Sequence, residues 1–255
     1  WPFVRFDVIT LFPELFAPFL AAGVPRRAYS SGQVDVRLWN PRDYAEGNYR
    51  RVDDRPFGGG PGMVMMAEPL ERCLADIRVQ RSEAPEARAP LVLFSPIGRK
   101  LNHAEVEGWS ASAGAVLLCG RYEGIDQRFI DAHVGVQLSL GDFVLSGGEI
   151  AALALLDAVT RLQPGVLNDE GSHQLDSFNP ALDGLLDCPH YTRPEEWAGR
   201  AVPAPLMSGH HAQIERWRRD QRLLITAQHR PDLIDAARAA GSLKPADEVV
   251  LAKIR

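Results

Sequence analysis

The sequence has few cysteines and no long apolar run. Its 255 residues include only three cysteines, and none belongs to a CxxC pair, which excludes a disulfide framework and the usual zinc or redox motifs. No apolar stretch approaches the length of a membrane-spanning helix. The amino terminus also has no signal-peptide pattern. These absences predict a protein of the reducing cytoplasm that does not associate with membranes.

A large excess of positive charge is also missing. The sequence has 28 Lys and Arg against 33 Asp and Glu, a formal net charge of −5, so nonspecific binding to a polyanion such as DNA is predicted to be weak. The charge is unevenly distributed. Residues 101–200 carry ten more acidic than basic groups, whereas residues 201–255 carry three more basic than acidic groups. Residues 1–100 carry two more basic than acidic groups, so the two ends of the sequence are better candidates for selective contact with nucleic acid than its acidic middle.

Short apolar segments alternate with helix-like segments over the first two thirds of the sequence. The apolar segments predict strands at Val4–Ile9, Val34–Trp39, Leu91–Phe94, Ala115–Leu118 and Val134–Leu138. The segments between them predict helices at Pro13–Ala22, Ala67–Val79, His103–Ala111, Ile125–Ala132 and Glu149–Leu162. This alternation is typical of a parallel sheet with helices on both faces. Ligands of such sheets bind beyond the carboxyl ends of the strands.

Regular periodicity fades after Gln163, where prolines, glycines and aspartates predict a connector with functional loops. A helical pattern resumes beyond Pro205. At 100° per residue, one side of that helix is apolar and about the opposite side is basic, with Ile214, Trp217, Leu224 and Ile225 on the first and Arg216, Arg219 and Arg222 on the second. Such an arginine face is either a solvated helix surface or a site of phosphate contact.

The densest cluster of unusual residues is VDDRPFGGGPGM, residues 52–63. Its four glycines within five residues let the backbone approach a ligand or another chain closely. The spacing matches neither a Walker A loop nor a GxGxxG motif. Asp53 and Arg55 beside the glycines can read a base edge or position a polar ligand. A tight surface turn is the alternative interpretation.

Three glycine-bearing loops follow predicted strands at one edge of the sheet. Their sequences are SPIGR at residues 95–99, CGRYEGID at residues 119–126 and LGDFVLSGGE at residues 140–149. Each loop alone is a routine strand-to-helix turn, but together they predict a pocket. Arg121 and Arg128 are the only arginines or lysines between residues 101 and 150. A nucleoside with little or no phosphate therefore fits better than a triphosphate.

Five motifs in a fixed order resemble one known family. VDDRPFGGGPGM, CGRYEGID, SLGDFVLSGGE, DSF followed by GLLDCPHYTRP, and HHAQIERWR are similar to the motifs of the bacterial tRNA (guanine-N1)-methyltransferase family, the TrmD type. With ITLFP at residues 9–13, the motifs cover most of the sequence. The resemblance implies an α/β fold of the SPOUT class, a parallel sheet with a deep trefoil knot, which is a rare exception to unknotted connections.

The resemblance also implies a domain organisation and a cofactor. A knotted catalytic domain would cover residues 1–162, an interdomain linker residues 163–177, and a small, mainly helical tRNA-binding domain residues 178–255. The implied methyl donor is S-adenosyl-L-methionine. The implied cofactor-binding residues are Phe94, Ser95, Pro96, Gly98, Gly120, Arg121, Tyr122, Glu123, Leu140, Gly141, Asp142, Phe143, Val144, Leu145, Gly147 and Gly148. The family suggests assistance by Mg²⁺, but no motif places an ion and no metal ligand is predicted.

The implied reaction methylates N1 of the guanosine immediately 3′ of the anticodon, guanosine 37. N1 carries a proton at neutral pH, so a base must remove it and a cation should stabilise the charge on O6. By family match, Asp176 is the general base and Arg161 is the partner of O6. Without that match, a capping aspartate and a surface arginine near a helix end are the simpler interpretations. Asp169 and Glu170 are the nearest rival bases.

Substrate contacts and a partner chain follow from the same resemblance. Family members are homodimers in which the two chains share each active site, and they bind the anticodon branch of tRNA. The implied substrate-binding residues are Asp53, Arg55, Gly58, Gly59, Arg216, Arg219 and Arg222. His190 and Tyr191 are either RNA contacts or part of a domain interface. Phe57, commonly Tyr, and His210, commonly Asn, depart from the family pattern.

Two alternatives to this function remain open. The first is another SPOUT methyltransferase, acting on rRNA or on a ribose 2′-oxygen. The second is a non-catalytic RNA-binding protein that retains the fold. Methyl transfer to tRNAs with and without guanine next to the anticodon distinguishes all three hypotheses.

Overall fold

The computed structural model describes residues 3–167 and 171–254, and the chain divides after Leu167 into two compact units. The strands of the first unit are β1 (Val4–Ile9), β2 (Val34–Trp39), β3 (Asp53–Asp54), β4 (Val64–Met65), β5 (Leu91–Lys100), β6 (Gly114–Leu118) and β7 (Val134–Ser139). Its α-helices are α1 (Ala17–Leu20), α2 (Arg26–Ser30), α3 (Ala67–Arg81), α4 (His103–Ser110), α5 (Gln127–His133) and α6 (Glu149–Arg161). Short 3₁₀ turns occur at Pro13–Leu15, Pro41–Tyr44 and Pro85–Ala87.

Five strands form one parallel sheet in the order β2-β1-β6-β5-β7. Strands β3 and β4 pair separately as a short antiparallel hairpin. The prediction of a parallel α/β sheet is confirmed, and β1 and β2 have the predicted bounds. Strand β6 is buried along its whole length, as expected for a parallel strand that is covered on both faces.

Helices on the two faces of the sheet create two apolar layers. One layer contains Leu117 of β6 and Leu155 of α6, and the other contains Leu118 of β6 and Ile77 of α3. The adjacent residues Leu117 and Leu118 belong to different layers because successive side chains of a strand point to opposite faces. Because helices pack on both faces, the position of the sheet is fixed. The edge from which the glycine-bearing loops emerge is therefore fixed as well.

Two predicted elements of the first unit differ in the structure. The predicted helix Pro13–Ala22 is a 3₁₀ turn followed by α1, because Pro18 lacks an N–H group and its ring cannot continue the preceding turn. Strand β5 extends beyond Phe94 to Lys100, and its pairing with β7 resumes at Arg99. Residues 95–98 are therefore a bulge within a strand rather than a strand-to-helix loop, and the bulge projects at the carboxyl edge.

The second unit is mainly helical, as predicted beyond Pro205. Its helices are α7 (Ala204–Met207), α8 (His211–His229), α9 (Pro231–Ala239) and α10 (Pro245–Leu251). Before them lie 3₁₀ turns at His173–Leu175 and Pro180–Leu182 and an unpredicted hairpin of β8 (Glu196–Trp197) and β9 (Arg200–Ala201). A small core joins Leu185, Leu223, Ile234, Ala237 and Val250. The separate linker over residues 163–177 stays a prediction.

Two properties predicted from composition can be compared with the structure. All three cysteines, Cys73, Cys119 and Cys188, are unpaired and buried, in agreement with the absence of a disulfide framework. Among the residues that the structure describes, no helix combines the length and apolar character needed to cross a bilayer.

Ion pairs hold α8 to the rest of the second unit. Arg219 donates hydrogen bonds to Asp247 at 2.9 Å and to Asp183 at 2.7 Å. Arg222 donates to Asp187 at 3.2 Å. Arg222 is 7% exposed and Asp247 is 1% exposed. A buried carboxylate is stable only when it is paired, so these contacts hold α10 and the segment before β8 against α8.

We expect replacement of Asp247 by alanine to destabilise the second unit. Although burial opposes ionisation, hydrogen bonds from Arg219 and from the Lys244 N–H lower the pKa of Asp247 below its ordinary value of 3.8. The stabilisation is therefore present above that value and is lost as the pH falls through the lowered pKa. Asp247→Ala should lower the unfolding free energy at pH 7 by about 3 kcal/mol. On acidification, the unfolding free energy of the variant should fall less than that of the wild type.

Denaturant unfolding at a series of pH values measures both effects. Asp235→Ala is the matched control, because Asp235 is an exposed partner of Arg238 and exposed pairs contribute little. Equal unfolding free energies for the two variants at every pH would contradict the role given to Asp247.

Candidate active site

A cavity of about 330 Å³ opens at the carboxyl edge of the sheet. The bulge of β5, the loop after β6 and the segment after β7 surround it, so the structure brings together the three glycine-bearing segments. The predicted cofactor residues that line the cavity are Phe94, Ser95, Pro96, Gly120, Arg121, Tyr122, Glu123, Leu140, Phe143, Val144, Leu145, Gly147 and Gly148. Their role in binding a cofactor stays a prediction.

Three predicted cofactor residues, Gly98, Gly141 and Asp142, lie outside the lining. A Cβ atom at Gly98 would lie 2.5 Å from the backbone nitrogen of Leu138, so this glycine lets the β5 bulge pack closely on β7. A Cβ atom at Gly141 would lie 2.9 Å from the nearest aromatic ring carbon. Asp142 accepts a hydrogen bond from Lys100 at 2.9 Å on the surface. All three shape or flank the cavity rather than line it.

Several residues that line the cavity were not among the predicted cofactor residues. Some of them lie within the three glycine-bearing segments, and they are Ile97, Gly124, Ile125 and Ser146. The others lie beside these segments or on the helix that follows, and they are Leu93, Gln127, Ile130, Gln137, Leu138, Ser139 and Ala151. Helical periodicity could have found some of them. Gln127 and Ile130 are one turn apart on α5, and Ala151 lies one turn after Gly148.

The cavity contains little positive charge. Among the described residues, Arg121 supplies its only arginine or lysine side chain, and Arg121 Nε donates a hydrogen bond of 3.0 Å to Glu149. The remaining lining is largely apolar side chains and backbone polar groups, which suit the ring and hydroxyl groups of a nucleoside. A polyphosphate would lack the cations that normally neutralise it.

A buried carboxylate connects the ends of three elements beside the cavity. Glu149, the first residue of α6, is fully buried and accepts hydrogen bonds from Thr10 Oγ1 at 2.9 Å and from Arg121. Thr10 Oγ1 in turn accepts from Phe12 N at 3.0 Å. The Arg121 guanidinium also lies 4.4 Å from the centroid of the Phe12 ring, a cation–π distance. These contacts join the segment after β1, the loop after β6 and the start of α6.

Glycines at the start of α6 let two chain segments cross at close range. Gly148 N donates to Gly120 O at 3.1 Å, and a Cβ atom at Gly148 would lie 2.9 Å from Cys119 Cα. A Cβ atom at Gly147 would lie 2.3 Å from Arg121 Nε. Because β7 is the edge strand and β5 lies between it and β6, the chain passes back across the end of β5 to make these contacts.

The glycine-rich segment, residues 58–62, lies beside the loop after β6. Its four glycines all have positive φ values, between 75° and 119°, a conformation that favours glycine. Glu123 N donates to Met63 O at 2.9 Å, and a Cβ atom at Gly62 would lie 2.4 Å from Glu123 Cγ. Space around Gly58 and Gly59 is open, so their backbone is accessible to a ligand. The segment is a conformationally demanding loop next to the cavity.

The other predicted residues of this segment are accessible. Asp53 is half-buried in β3, Arg55 is exposed, and Arg55 N donates to Asp54 Oδ1 at 2.8 Å. Phe57 is fully exposed. A hydroxyl on this ring, as tyrosine would carry, would therefore lie in solvent in this chain.

The two predicted catalytic residues lie in different units. Arg161 is the last residue of α6 in the first unit, and Asp176 follows the turn His173–Leu175 in the second unit. Both are half-buried. The Asp176 backbone closes this turn, since its N–H donates to His173 O at 3.3 Å. The rival bases Asp169 and Glu170 lie outside the described residues, so the choice of base stays a prediction.

Comparison with known proteins identifies the family. The model of the family described as tRNA (Guanine-1)-methyltransferase TrmD matches residues 4–236. The chain belongs to the TrmD family. It is 81% identical over 251 residues to a protein of Paracidovorax citrulli, covering 98% of both chains. It is 73% identical over 251 residues to a Polaromonas protein, covering 98% of this chain and 97% of the relative.

A more distant TrmD relative shows the same extent of similarity. A protein of Bordetella pertussis is 56% identical over 251 residues, covering 98% of both chains. All three relatives bear the name tRNA (guanine-N(1)-)-methyltransferase. The family predicted from five motifs is confirmed over nearly the whole chain.

The arginine face matched to tRNA binding in the TrmD family is engaged in ion pairs. Arg216 donates to Asp247 at 3.2 Å and pairs with Asp220, while Arg219 and Arg222 contact the carboxylates described above. The interpretation as a solvated helix surface does not hold for Arg222, which is 7% exposed, because a carboxylate of the second unit faces it. The Arg216 side chain, in contrast, is 39% exposed. The contact of these arginines with tRNA phosphates stays a prediction.

Other TrmD motif residues are also placed by the structure. His190 Nε2 lies 2.9 Å from Asp187 Oδ2. The Tyr191 and Trp217 rings are arranged edge to face, with their centroids 6.2 Å apart. His210 is the N-cap residue of α8, and its side chain makes no capping hydrogen bond. Asparagine, the residue that the family resemblance leads us to expect here, is a strong N-cap residue, so histidine at this position lacks a favourable cap.

One group of possible metal ligands occurs in the part of the chain that the structure describes. Asp187, Cys188 and His190 offer ligand atoms within 4.8 Å of one another. Arg222 already donates to Asp187, and burial raises the pKa of the Cys188 thiol. Mg²⁺ prefers oxygen ligands, so this group does not fit Mg²⁺.

We expect Gly148→Ala to disrupt the cavity. Its Cβ would meet backbone atoms that cannot move without displacing the end of β6, at a cost of about 1–3 kcal/mol. Thermal unfolding and calorimetric binding of S-adenosyl-L-methionine should both show losses. Gly108→Ala is the control, since Gly108 lies within α4 with open space around it and should gain stability from alanine. Equal stability of the two variants would contradict the close approach at Gly148.

Proposed function

We propose that this protein transfers a methyl group from S-adenosyl-L-methionine to N1 of guanosine 37 in tRNA, in the cytoplasm. The observation that carries this proposal is a cavity enclosed by the family's three glycine-bearing segments, in a chain that belongs to the TrmD family. A relative that is 81% identical to this chain over 98% of both chains bears the name tRNA (guanine-N(1)-)-methyltransferase.

The lining of the cavity fits the proposed methyl donor. When bound, S-adenosyl-L-methionine supplies an electrophilic methyl group with a neutral thioether as the leaving group. Its adenosyl portion carries no phosphate, which suits a cavity whose one arginine is already paired with Glu149. A volume of about 330 Å³ is also within the usual range for small-molecule sites.

The crossing of segments at the cavity supports a trefoil knot in this proposal. After edge strand β7, the chain returns across the end of β5 and reaches Gly120 at the end of β6. The β5 bulge at residues 95–98 lies at that same edge. The three segments that cross there are those that line the cavity, so the knot and the cofactor site are one structure.

The proposed chemistry depends on two side chains. Asp176 removes the N1 proton as the new bond forms, and Arg161 stabilises the negative charge on O6. Asp53 and Arg55 hold the target base, and the open backbone at Gly58 and Gly59 allows the base to approach. The target base must leave the RNA stack to enter the site. No step is assigned to Mg²⁺.

A shared active site in a homodimer completes the proposal. Several exposed apolar side chains lie on the segments at the carboxyl edge of the sheet, and they are Phe12, Ile97, Phe143, Val144 and Ile150. Val144 is 84% exposed and Ile97 is 82% exposed. Such a patch is typical of a surface that another chain covers. In this proposal a second copy that covers this edge supplies Asp176 to the active site, and the second unit binds the anticodon branch of tRNA.

We expect methyl incorporation to require both guanosine 37 and Asp176. Transfer of labelled methyl groups to unmodified tRNA should be lost when adenosine replaces guanosine 37. Asp176→Asn should lower the transfer rate by about 10²- to 10⁴-fold, because the amide cannot accept the N1 proton, and should leave calorimetric cofactor affinity unchanged. Asp235→Asn, a change at an exposed residue remote in sequence, is the control.

Each contrary outcome of this assay favours a named alternative. Methylation that does not depend on guanosine 37 would favour another RNA methyltransferase. Binding of tRNA without any methyl transfer would favour a non-catalytic RNA-binding protein. Normal turnover by Asp176→Asn would exclude Asp176 as the base.

Sharing of the active site predicts complementation between two inactive variants. A hybrid of an Asp176→Asn chain and a Gly148→Ala chain would contain one site with an intact cavity and an intact Asp176. Because random assembly makes half of the dimers hybrids, the mixture should recover about a quarter of wild-type activity. The assay mixes unfolded chains in equal amounts and refolds them together. Activity no greater than that of the separate variants would contradict shared sites.

A further inference from the structure

The loop after β6, residues 121–126, is hydrogen-bonded to the hairpin that carries the glycine-rich segment. Met65 N donates to Gly124 O at 2.8 Å, and Asp126 N donates to Met65 O at 2.9 Å. Met65 and Ile125 thereby form a parallel bridge. The backbone of one residue, Met65, is therefore bonded on both sides to a loop that lines the cavity.

The side chain of Met65 makes a third contact with this loop. Arg121 N donates to Met65 Sδ at 3.2 Å, and Met65 is 1% exposed. Backbone N–H groups usually pair with oxygen, and a thioether is a weak acceptor. An apolar side chain at this position would leave the part-buried Arg121 N–H without that acceptor.

The contacts of Met65 lie on both sides of a residue with an unfavourable backbone conformation. Tyr122, which lines the cavity, has a φ of 61°, in the left-handed region that side chains other than glycine rarely adopt. Such a residue persists only when its surroundings fix it. Here the Arg121 N–H is fixed before Tyr122, and the Glu123 N–H and the Gly124 carbonyl are fixed after it.

We infer that Met65 is a positioning residue for cofactor binding, whose thioether holds the Arg121 N–H and so keeps Tyr122 and its neighbours in place around the cavity. Met65 also belongs to one apolar layer of the core. If it served only as a core residue, an apolar side chain of similar volume would replace it without effect on the loop. The identity of the cofactor rests on the proposed function, whereas the hydrogen bond does not.

Met65→Leu tests this role, because leucine nearly preserves volume and lacks an acceptor. In ligand-free protein, the Arg121 amide should exchange its hydrogen about tenfold faster than in the wild type, measured by NMR. The dissociation constant for S-adenosyl-L-methionine should rise about three- to tenfold by calorimetry, as expected for loss of one modest hydrogen bond. The kcat at saturating cofactor should change by less than about twofold, which separates positioning from catalysis.

Met66→Leu is the matched control. Met66 is the next residue and is half-buried, and its backbone N–H donates to Val52 O rather than to the loop. Exchange at Arg121 and cofactor affinity should stay at wild-type values. A second variant, Met65→Gln, restores an oxygen acceptor and should slow Arg121 exchange relative to Met65→Leu.

The outcomes separate this inference from the proposed function. Equal Arg121 exchange rates in wild type and Met65→Leu would overturn the inference. Rapid Arg121 exchange in the wild type would also overturn it, and that measurement does not depend on a variant that folds. If wild-type protein fails to bind S-adenosyl-L-methionine, the proposed function fails. The ligand-free exchange rates then decide on the Met65 hydrogen bond independently.

Discussion

The buried carboxylate of Glu149 is the interaction on which the geometry of the cavity depends. Glu149 is the first residue of α6, yet its side chain accepts hydrogen bonds from Thr10, directly after β1, and from Arg121, after β6. A charge without access to water must be paired, and loss of one partner of such a pair typically costs about 3–5 kcal/mol. The three chain segments therefore have little freedom to separate, and the loops attached to them surround a defined cavity.

Much of the first unit could be predicted because burial leaves a local pattern. Strands β1 and β2 were predicted with their observed bounds. Strand β1 is nearly continuously buried and largely apolar, whereas β2 is a half-exposed edge strand in which apolar and charged residues alternate. The β5 bulge was not predictable, because Ser95 and Pro96 look the same in sequence whether a strand ends there or resumes. The cavity loops were predictable only as motifs, and the role of Met65 depends on a contact with Arg121, 56 residues away.

The second unit shows what sequence periodicity cannot predict. A helical projection separates the arginines of α8 from its apolar residues, but it does not say what they face. Their partners Asp183, Asp187 and Asp247 are distant in sequence and meet them only through tertiary packing. Much of the positive charge of α8 is therefore neutralised internally, and regional net charge overstates the charge available to a polyanion. Asp176 and Arg161 belong to separate units, so neither periodicity nor local structure tests the catalytic roles that the family resemblance gives them.

The burial of all three cysteines makes the folded protein a poor substrate for thiol reagents. Burial raises the pKa of Cys73 to about 12, and it raises the pKa of Cys119 well above its ordinary value. Because the thiolate is the reactive species, alkylation of the native chain should be slow at neutral pH. A single cysteine introduced on the surface would then be the preferred site for a fluorophore or spin label, without removal of the native cysteines.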